Sequence, residues 1–305
     1  MHYYSRLKYF LALAISVVCN FANTQENDLL DELDSISEQE VVFENPAFKA
    51  LQICNLQSTK MVAKKDFYMV VAHRFGSIKS GIKELYGLDQ ANTKIQFIYG
   101  ISDRLQLGIS RDSYEKTYSA TSKLSLLKQS NNRRVNLVLY NSVDVNTLLN
   151  KNTYPGLLFL DRFAYSTQIL ISRGFSEKLS IELAPIYVRQ NLIDLKYAKT
   201  SIPPIRPLGF LTEPWNQYIL AIGGRYKFTK RISFNLDYGY NFSKSKNSLY
   251  RNPLSVGIDI ETGGHVFQLL FTNSRASNNA AFLTETLGDW SKGDISFGFN
   301  IVRVF

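Results

Sequence analysis

From Asp66 onward, apolar and polar positions alternate along the chain with a period of two. In Arg231–Ser243, Ile232, Phe234, Leu236, Tyr238, Tyr240 and Phe242 alternate with Ser233, Asn235, Asp237, Gly239, Asn241 and Ser243. Only a β-strand sends alternate side chains to opposite faces in this way. The preceding segment repeats the pattern, with Tyr218, Leu220, Ile222, Tyr226 and Phe228 against Gln217, Gly223, Arg225 and Lys227. Near the end, Ile295, Phe297, Phe299 and Ile301 alternate with Ser296, Gly298 and Asn300. Such runs predict about twelve strands. They are Asp66–Gly76, Asn92–Ile101, Leu105–Ser113, Thr117–Gln129, Arg134–Asn146, Arg162–Gly174, Leu179–Gln190, Trp215–Phe228, Arg231–Ser243, Leu254–Ile260, His265–Asn273 and Gly293–Phe305. Thr117–Gln129 is the weakest, because its apolar face is incomplete. Many of these runs exceed the ~5–6 residues usual in globular sheets and match the ~9–11 tilted residues that cross a bilayer.

The connections carry a second pattern. Three share one recipe: Ile101-Ser102-Asp103-Arg104-Leu105, Phe175-Ser176-Glu177-Lys178-Leu179 and Phe228-Thr229-Lys230-Arg231-Ile232. In each, a Ser or Thr that can bond the local backbone and two charged residues separate an apolar residue from the aliphatic that restarts a strand. Longer polar links lie between them: Ser77–Ala91, Thr147–Asp161, Asn191–Pro214, Lys244–Pro253 and Ser274–Lys292. The link near Glu115 is a short exception on the long side. Alternating tight turns and long loops are the asymmetry of a membrane β-barrel. A soluble β-sandwich accounts for the alternation of side chains but not for strand length and turn asymmetry together. The predicted class is therefore all-β: an antiparallel transmembrane β-barrel of about 12 strands, with a short disordered or helical N-terminal tail. An even strand number puts both barrel ends, and so the N- and C-termini, on the tight-turn, periplasmic side of an outer membrane. Aromatic residues gather at the strand ends, with Phe175, Phe228 and Phe305 on one side and Trp215, Tyr218, Tyr240 and Phe242 on the other. Interfacial girdles call for such rings. The alternating run ending on Phe305 resembles the C-terminal recognition signal of bacterial outer-membrane barrels, although Arg303 interrupts its apolar face.

Ahead of the barrel (66–305) the pattern changes. Arg6 and Lys8, an apolar run from Tyr9 to Val18 and the small Ala22 have the order of a secretory signal over 1–22. Val17 and Val18 before Cys19 fit a lipid-attachment signal poorly, which leaves Cys54 as the lone mature cysteine, a small packed side chain. Residues 23–65 form an acidic periplasmic tail and a possible plug segment. From Glu26 to Glu44 there are eight acids and no Lys or Arg, while Leu29, Leu30, Leu33 and Ile36 keep helical spacing. The next segment, Asn45–Lys65, carries Phe48, Leu51, Ile53 and Leu56. Three placements stand for it: a plug in the lumen, additional strands, or the periplasm.

Composition sharpens this picture only when divided along the chain. The 305 residues include 35 Lys and Arg, 26 Asp and Glu, 20 Phe and 18 Tyr. The mean hydropathy of −0.13 averages over two faces. No mature segment offers the ~18 apolar residues of a membrane helix. Setting aside Arg6, Lys8 and the eight tail acids leaves 33 basic against 18 acidic residues, a net of +15 on the body.

The residues predicted to face inward are polar. Arg74, Lys94, Gln96, Gln168, Glu182, Gln217, Arg225, Asn235, Asp237 and Asp259 are the candidate pore-lining set. Two readings stand: a hydrated pore somewhat favourable to anions, or a filled interior in which these charges pair. His73 and His265 fall at opposite ends of their strands, about 25 Å of apolar band apart, which argues against a shared metal site. Neither histidine has a Ser or Thr two residues away in its strand, which leaves only Ser and acid residues of facing strands to assemble a catalytic group. No phosphate loop, zinc cluster or calcium loop is present. The expectation is a protein that is not an enzyme and takes no cofactor. Lys79, Lys83, Lys116, Lys151, Lys196, Lys199, Lys244, Lys246 and Arg251 fall on the predicted outer loops. They suit the anionic lipid headgroups of an outer membrane or simple solvation, and no basic helix or stacking module frames them for nucleic acid.

Several stretches resemble one family of uncharacterised bacterial outer-membrane β-barrel proteins. They are His73-Arg74-Phe75-Gly76, Glu84-Leu85-Tyr86-Gly87-Leu88-Asp89, Ser113-Tyr114-Glu115-Lys116-Thr117-Tyr118, Gly223-Gly224-Arg225-Tyr226-Lys227, Asp259 to Leu269, Phe271-Thr272-Asn273-Ser274 and Gly298 to Phe305. The run Glu261-Thr262-Gly263-Gly264-His265 is the most specific and reads as a tight turn entering a strand. The link holding Pro203, Pro204 and Pro207 is longer than the family pattern. The resemblance implies a location and a fold without an activity. The functional expectation is a passive or solute-selective outer-membrane channel. Its rival is a structural or adaptor barrel that docks a periplasmic protein through Glu26–Glu44.

Overall fold

The computed structural model describes residues 47–152, 156–191, 213–246, 248–262 and 265–305. The secretory signal expected over 1–22, the acidic run Glu26–Glu44 and the Pro203–Pro207 link lie outside the described residues. Twelve antiparallel strands among the described residues close into a barrel: β1 (Phe67–Ser77), β2 (Ala91–Ser102), β3 (Leu105–Asp112), β4 (Thr117–Leu127), β5 (Asn136–Asn146), β6 (Phe163–Gly174), β7 (Leu179–Gln190), β8 (Asn216–Lys227), β9 (Ile232–Asn241), β10 (Leu254–Thr262), β11 (His265–Thr272) and β12 (Ser296–Val304). Each strand pairs with its sequence neighbours, and β1 closes the sheet on β12 with Val70 opposite Val302. The Phe305 N–H donates to Phe67 O at 2.9 Å and extends that seam to the last residue. Closure leaves no unpaired edge, as a hydrocarbon environment requires.

The tight turns form as their residues predict. The Ser102, Ser176 and Thr229 hydroxyls accept the N–H of Leu105, Leu179 and Ile232 at 3.1, 3.1 and 3.0 Å. The charged pairs between them are exposed. One tight-end link is longer than expected, because β4 stops at Leu127 and β5 starts at Asn136. Gln129 of this link ties it to two strands: Gln129 N donates to Asn136 Oδ1 of β5 and Gln129 Nε2 donates to Gly174 O of β6.

Outward positions are apolar and exposed, among them Ile95, Phe97, Leu107, Ile109, Ile222, Leu236, Ile258, Phe267, Leu269 and Phe271. Rings meet at both rims. Phe67 stacks on Phe97 and leans on Phe305 at the tight-turn end, with centroids at 5.8 and 6.0 Å. At the long-loop end Phe75 stacks on Phe297, and Tyr187 meets Tyr218. The Arg303 side chain that breaks the apolar face lies outside the barrel, its guanidinium 4.7 Å from the Phe305 ring centroid. A long aliphatic stem lets such a residue sit at a rim.

Candidate functional site: the lumen and the hairpin that occupies it

Residues 47–62 stand inside the barrel. They form a small hairpin in which Ile53 N donates to Leu56 O at 2.8 Å and Ser58 N to Leu51 O at 3.0 Å. Gln52 and Gln57 bridge antiparallel beneath this turn. Both legs belong to the tight-turn end. On the entering leg Lys49 Nζ pairs with Glu261 at 2.7 Å, and on the leaving leg Lys65 N donates to Gly100 O at 2.8 Å.

The tip, Ile53-Cys54-Asn55-Leu56, is held by the inner wall. Asp237 Oδ2 accepts three consecutive main-chain N–H groups, from Cys54, Asn55 and Leu56, at 3.0, 2.7 and 2.9 Å. A carboxylate accepting a run of backbone donors is a strong, charge-assisted arrangement. The Asn55 side chain is satisfied on every side. Its Oδ1 accepts Arg74 Nε and Nη2 at 3.0 and 2.7 Å, and its Nδ2 donates to Ser255 Oγ and Thr272 Oγ1 at 2.9 and 3.0 Å. Gln268 Nε2 donates to Gln52 O and Ile53 O, and Asn300 Nδ2 donates to Cys54 O.

The leaving leg is held the same way. Thr59 N donates to Glu182 Oε2 at 2.9 Å, and Val62 N to Gln106 Oε1 at 2.7 Å. Lys123 Nζ reaches the carbonyls of Ser58 and Lys60 at 3.0 and 3.3 Å. Two inward glycines make room for apolar side chains. A Cβ at Gly223 would collide with Ile53 Cδ1, and one at Gly257 would lie 3.2 Å from Cys54 Sγ.

A second segment enters from the other end. The β11–β12 connection folds inward and carries α1 (Asn279–Thr284), every residue of which is buried. Asn278 caps it by accepting Ala281 N at 2.9 Å. Asp112 accepts Ser277 N, Asp144 accepts Ala280 N, and Tyr140 Oη accepts Asn279 Nδ2. Lys94 Nζ donates to Ser277 O at 3.1 Å. Hairpin and loop meet where Gln57 Nε2 donates to Asn279 Oδ1 at 3.3 Å. Phe48, Ile53 and Leu56 of the hairpin and Phe282 and Leu283 of the loop join one apolar cluster with Val138, Tyr140, Leu170, Ile186, Val188 and Ile219 of β5 to β8.

All ten candidate pore-lining residues are buried: Arg74, Lys94, Gln96, Gln168, Glu182, Gln217, Arg225, Asn235, Asp237 and Asp259. Arg74, Glu182 and Asp237 grip the hairpin, and Arg225 Nη1 donates to Ala47 O at 3.4 Å. Lys94 holds the loop. The others mostly bond within the wall, Gln168 to Ser166, Gln217 to Gln190 and Asp259 to Gln268. In the Glu261 to His265 run, Glu261 pairs with Lys49 and the register sets Thr262 opposite His265. Gly263, Gly264 and the His265 side chain lie outside the described residues. Among the described residues no group of three His, Cys, Asp or Glu is placed to hold a metal ion.

Sequence reasoning missed Lys123, Gln106, Asp112, Asp144 and Tyr140. Each sits on the inward parity of its strand, so alternation places it on the wall; nothing local says what it meets there. The stretches that carried the family resemblance supply Arg74, Arg225, Glu261, Gln268 and Asn300, each in contact with the hairpin.

A family model described as a membrane bound beta barrel domain matches residues 48–305, so hairpin and barrel match together. Among solved structures, the chain is similar to the NanC porin, with 9% identity and a TM-score of 0.48 over 78% of this chain and 98% of that one. It is similar to the KdgM porin, with 9% identity and a TM-score of 0.46 over 78% and 99%. An outer membrane channel from Pseudomonas putida F1 aligns with 12% identity and a TM-score of 0.46 over 81% and 97%. No curated protein matches the chain.

Proposed function

Because the chain belongs to this family of membrane-bound β-barrel domains, we propose that it is a gated solute channel of a bacterial outer membrane. At rest its passage is held shut by residues 47–62. The tight-turn end faces the periplasm and the long loops face outward. The observation that carries this reading is the path of the hairpin. Both of its legs pass the tight-turn rim, at Glu261 and at Gly100, so it can withdraw as a unit without threading the barrel. The wall it leaves is polar on most strands, with Arg74, Gln106, Lys123, Glu182 and Asp237 ready to rehydrate.

Planar-bilayer recording tests the proposal. The wild-type protein is expected to stay closed for most of the record, and a variant that loosens the hairpin to give discrete ion-conducting steps. A variant whose hairpin is demonstrably withdrawn and which never conducts contradicts it.

A further inference from the structure

The wall groups that hold the hairpin address its main chain more than its side chains. Asp237, Glu182 and Gln106 accept five backbone N–H groups, and Lys123, Gln268 and Asn300 donate to five backbone carbonyls at 3.3 Å or less. A carboxylate only accepts and an ammonium only donates. Of the hairpin, Asp237 and Glu182 meet only backbone donors and Lys123 only backbone carbonyls, while the amides of Gln106, Gln268 and Asn300 turn toward it the atom that the facing main-chain group needs. This matches a ligand whose donors and acceptors are separate and regularly spaced, as in a polypeptide. A sugar chain presents hydroxyls that do both and does not require that division. Beside the polar grips, the seat at Gly223 and the apolar cluster take Ile53, Leu56 and Phe48. Main-chain hydrogen bonds with niches for some side chains are the usual economy of peptide recognition.

We infer that the lumen is a peptide-binding site, held at rest by the chain's own residues 47–62, and that the solutes it admits are peptides. This rests on the channel reading and names its substrate class. When the hairpin leaves, acceptors and donors tuned to a backbone are exposed in a confined space, and a second peptide can take them. The hairpin then acts as an intramolecular competitor, so an added peptide of sufficient affinity shifts the barrel toward the withdrawn state by mass action.

The test uses the folded wild-type barrel in detergent micelles. Cys54 is buried in the hairpin tip, so its alkylation by a maleimide reports withdrawal. The probe is a synthetic peptide of residues 47–62 carrying Cys54→Ser. It is expected to accelerate Cys54 alkylation at least tenfold and saturably. The same peptide N-methylated at the amides of positions 54, 55 and 56, which cannot donate to Asp237, is expected to give no acceleration. A linear oligosaccharide of similar length is expected to give none.

A second measurement uses the Gly223→Leu variant, in which the seat of Ile53 is filled. A fluorescent peptide carrying Ile53→Gly and Cys54→Ser is expected to bind it, by anisotropy, more tightly than it binds the wild type. Equal action of the N-methylated peptide or the oligosaccharide overturns the inference, as does failure of peptide to act on either protein. Conducting steps from Gly223→Leu without peptide binding sink the inference alone. Peptide binding without any conduction sinks the channel reading and the admission of peptides with it, and leaves the peptide-binding site standing.

Discussion

Replacing Asp237 by alanine removes the one acceptor shared by three successive N–H groups at the hairpin tip. The tip is deeply buried, with Cys54 1% and Asn55 3% exposed. A buried donor left without an acceptor costs about 1–3 kcal/mol, and bonds to a charged acceptor lie toward the upper end. Water can enter the space vacated by the carboxylate and satisfy part of the deficit. A loss of about 3–6 kcal/mol from hairpin docking follows, which is roughly 10²–10⁴-fold in the ratio of docked to withdrawn states. Asp237→Asn keeps one acceptor oxygen and loses the charge, and is expected to cost about tenfold. The assay is the pseudo-first-order alkylation rate of Cys54 in the folded barrel, with heat-dependent gel mobility confirming that the strands remain closed. Asp237→Ala alkylating at the wild-type rate in an intact barrel refutes the reasoning, because the three bonds would then contribute nothing to retention.

Three further outcomes follow from the same contacts. Lys123→Met removes the ammonium that bridges the Ser58 and Lys60 carbonyls and is expected to speed Cys54 alkylation about tenfold to a hundredfold, less than Asp237→Ala. Gly223→Leu is expected to expel the tip because the new side chain fills the place of Ile53. The neighbouring Gly224→Leu, whose Cβ meets only Ser180 O at 3.8 Å, is expected to leave alkylation unchanged; equal effects from the two would contradict a steric seat. On the long β9–β10 connection, burial pushes the Lys244 amine down to about 8 from 10.5, against the opposing pull of Glu213. Between those pH values the unfolded loop binds a proton that the folded one does not, so the order of this connection is expected to rise with pH from about 8 to 10.5. NMR titration of isotopically methylated lysine, assigned through Lys244→Met, checks this; a midpoint near 10.5 refutes it.

The barrel was legible because period two is a local signal. The observed strands β7 and β11 begin at the predicted Leu179 and His265, and the Ser or Thr turns announced three of the tight connections. Parity also placed Arg74, Glu182 and Asp237 on the inner wall. What those residues meet was not legible, since alternation says which face a side chain takes and not what lies across it. The hairpin lacks any period because the wall surrounds it: Phe48, Ile53 and Leu56 find apolar partners while Asn55 and Thr59 find polar ones. One trace of a filled lumen was present. Runs such as Leu137-Val138-Leu139-Tyr140 and Tyr218-Ile219-Leu220-Ala221-Ile222 are apolar on both parities, the composition of a strand covered on both faces. Val138, Tyr140, Ile219 and Ala221 are the inward members of those runs and pack in the apolar cluster.

The central claim is that one barrel alternates between a hairpin-filled and a hairpin-free lumen, and a reversible lock tests it most directly. Thr59 Oγ1 of the hairpin and Ser172 Oγ of β6 lie 2.5 Å apart. A barrel carrying Thr59→Cys and Ser172→Cys, with Cys54→Ser to remove the native thiol and Asp237→Ala to loosen the tip, can be tied and untied by oxidation and reduction. Single-channel recording is expected to show a silent barrel when the disulfide is formed and repeated conducting steps from the same barrel after reduction. Equal conductance in the two states, with the disulfide verified in the first, would contradict the account.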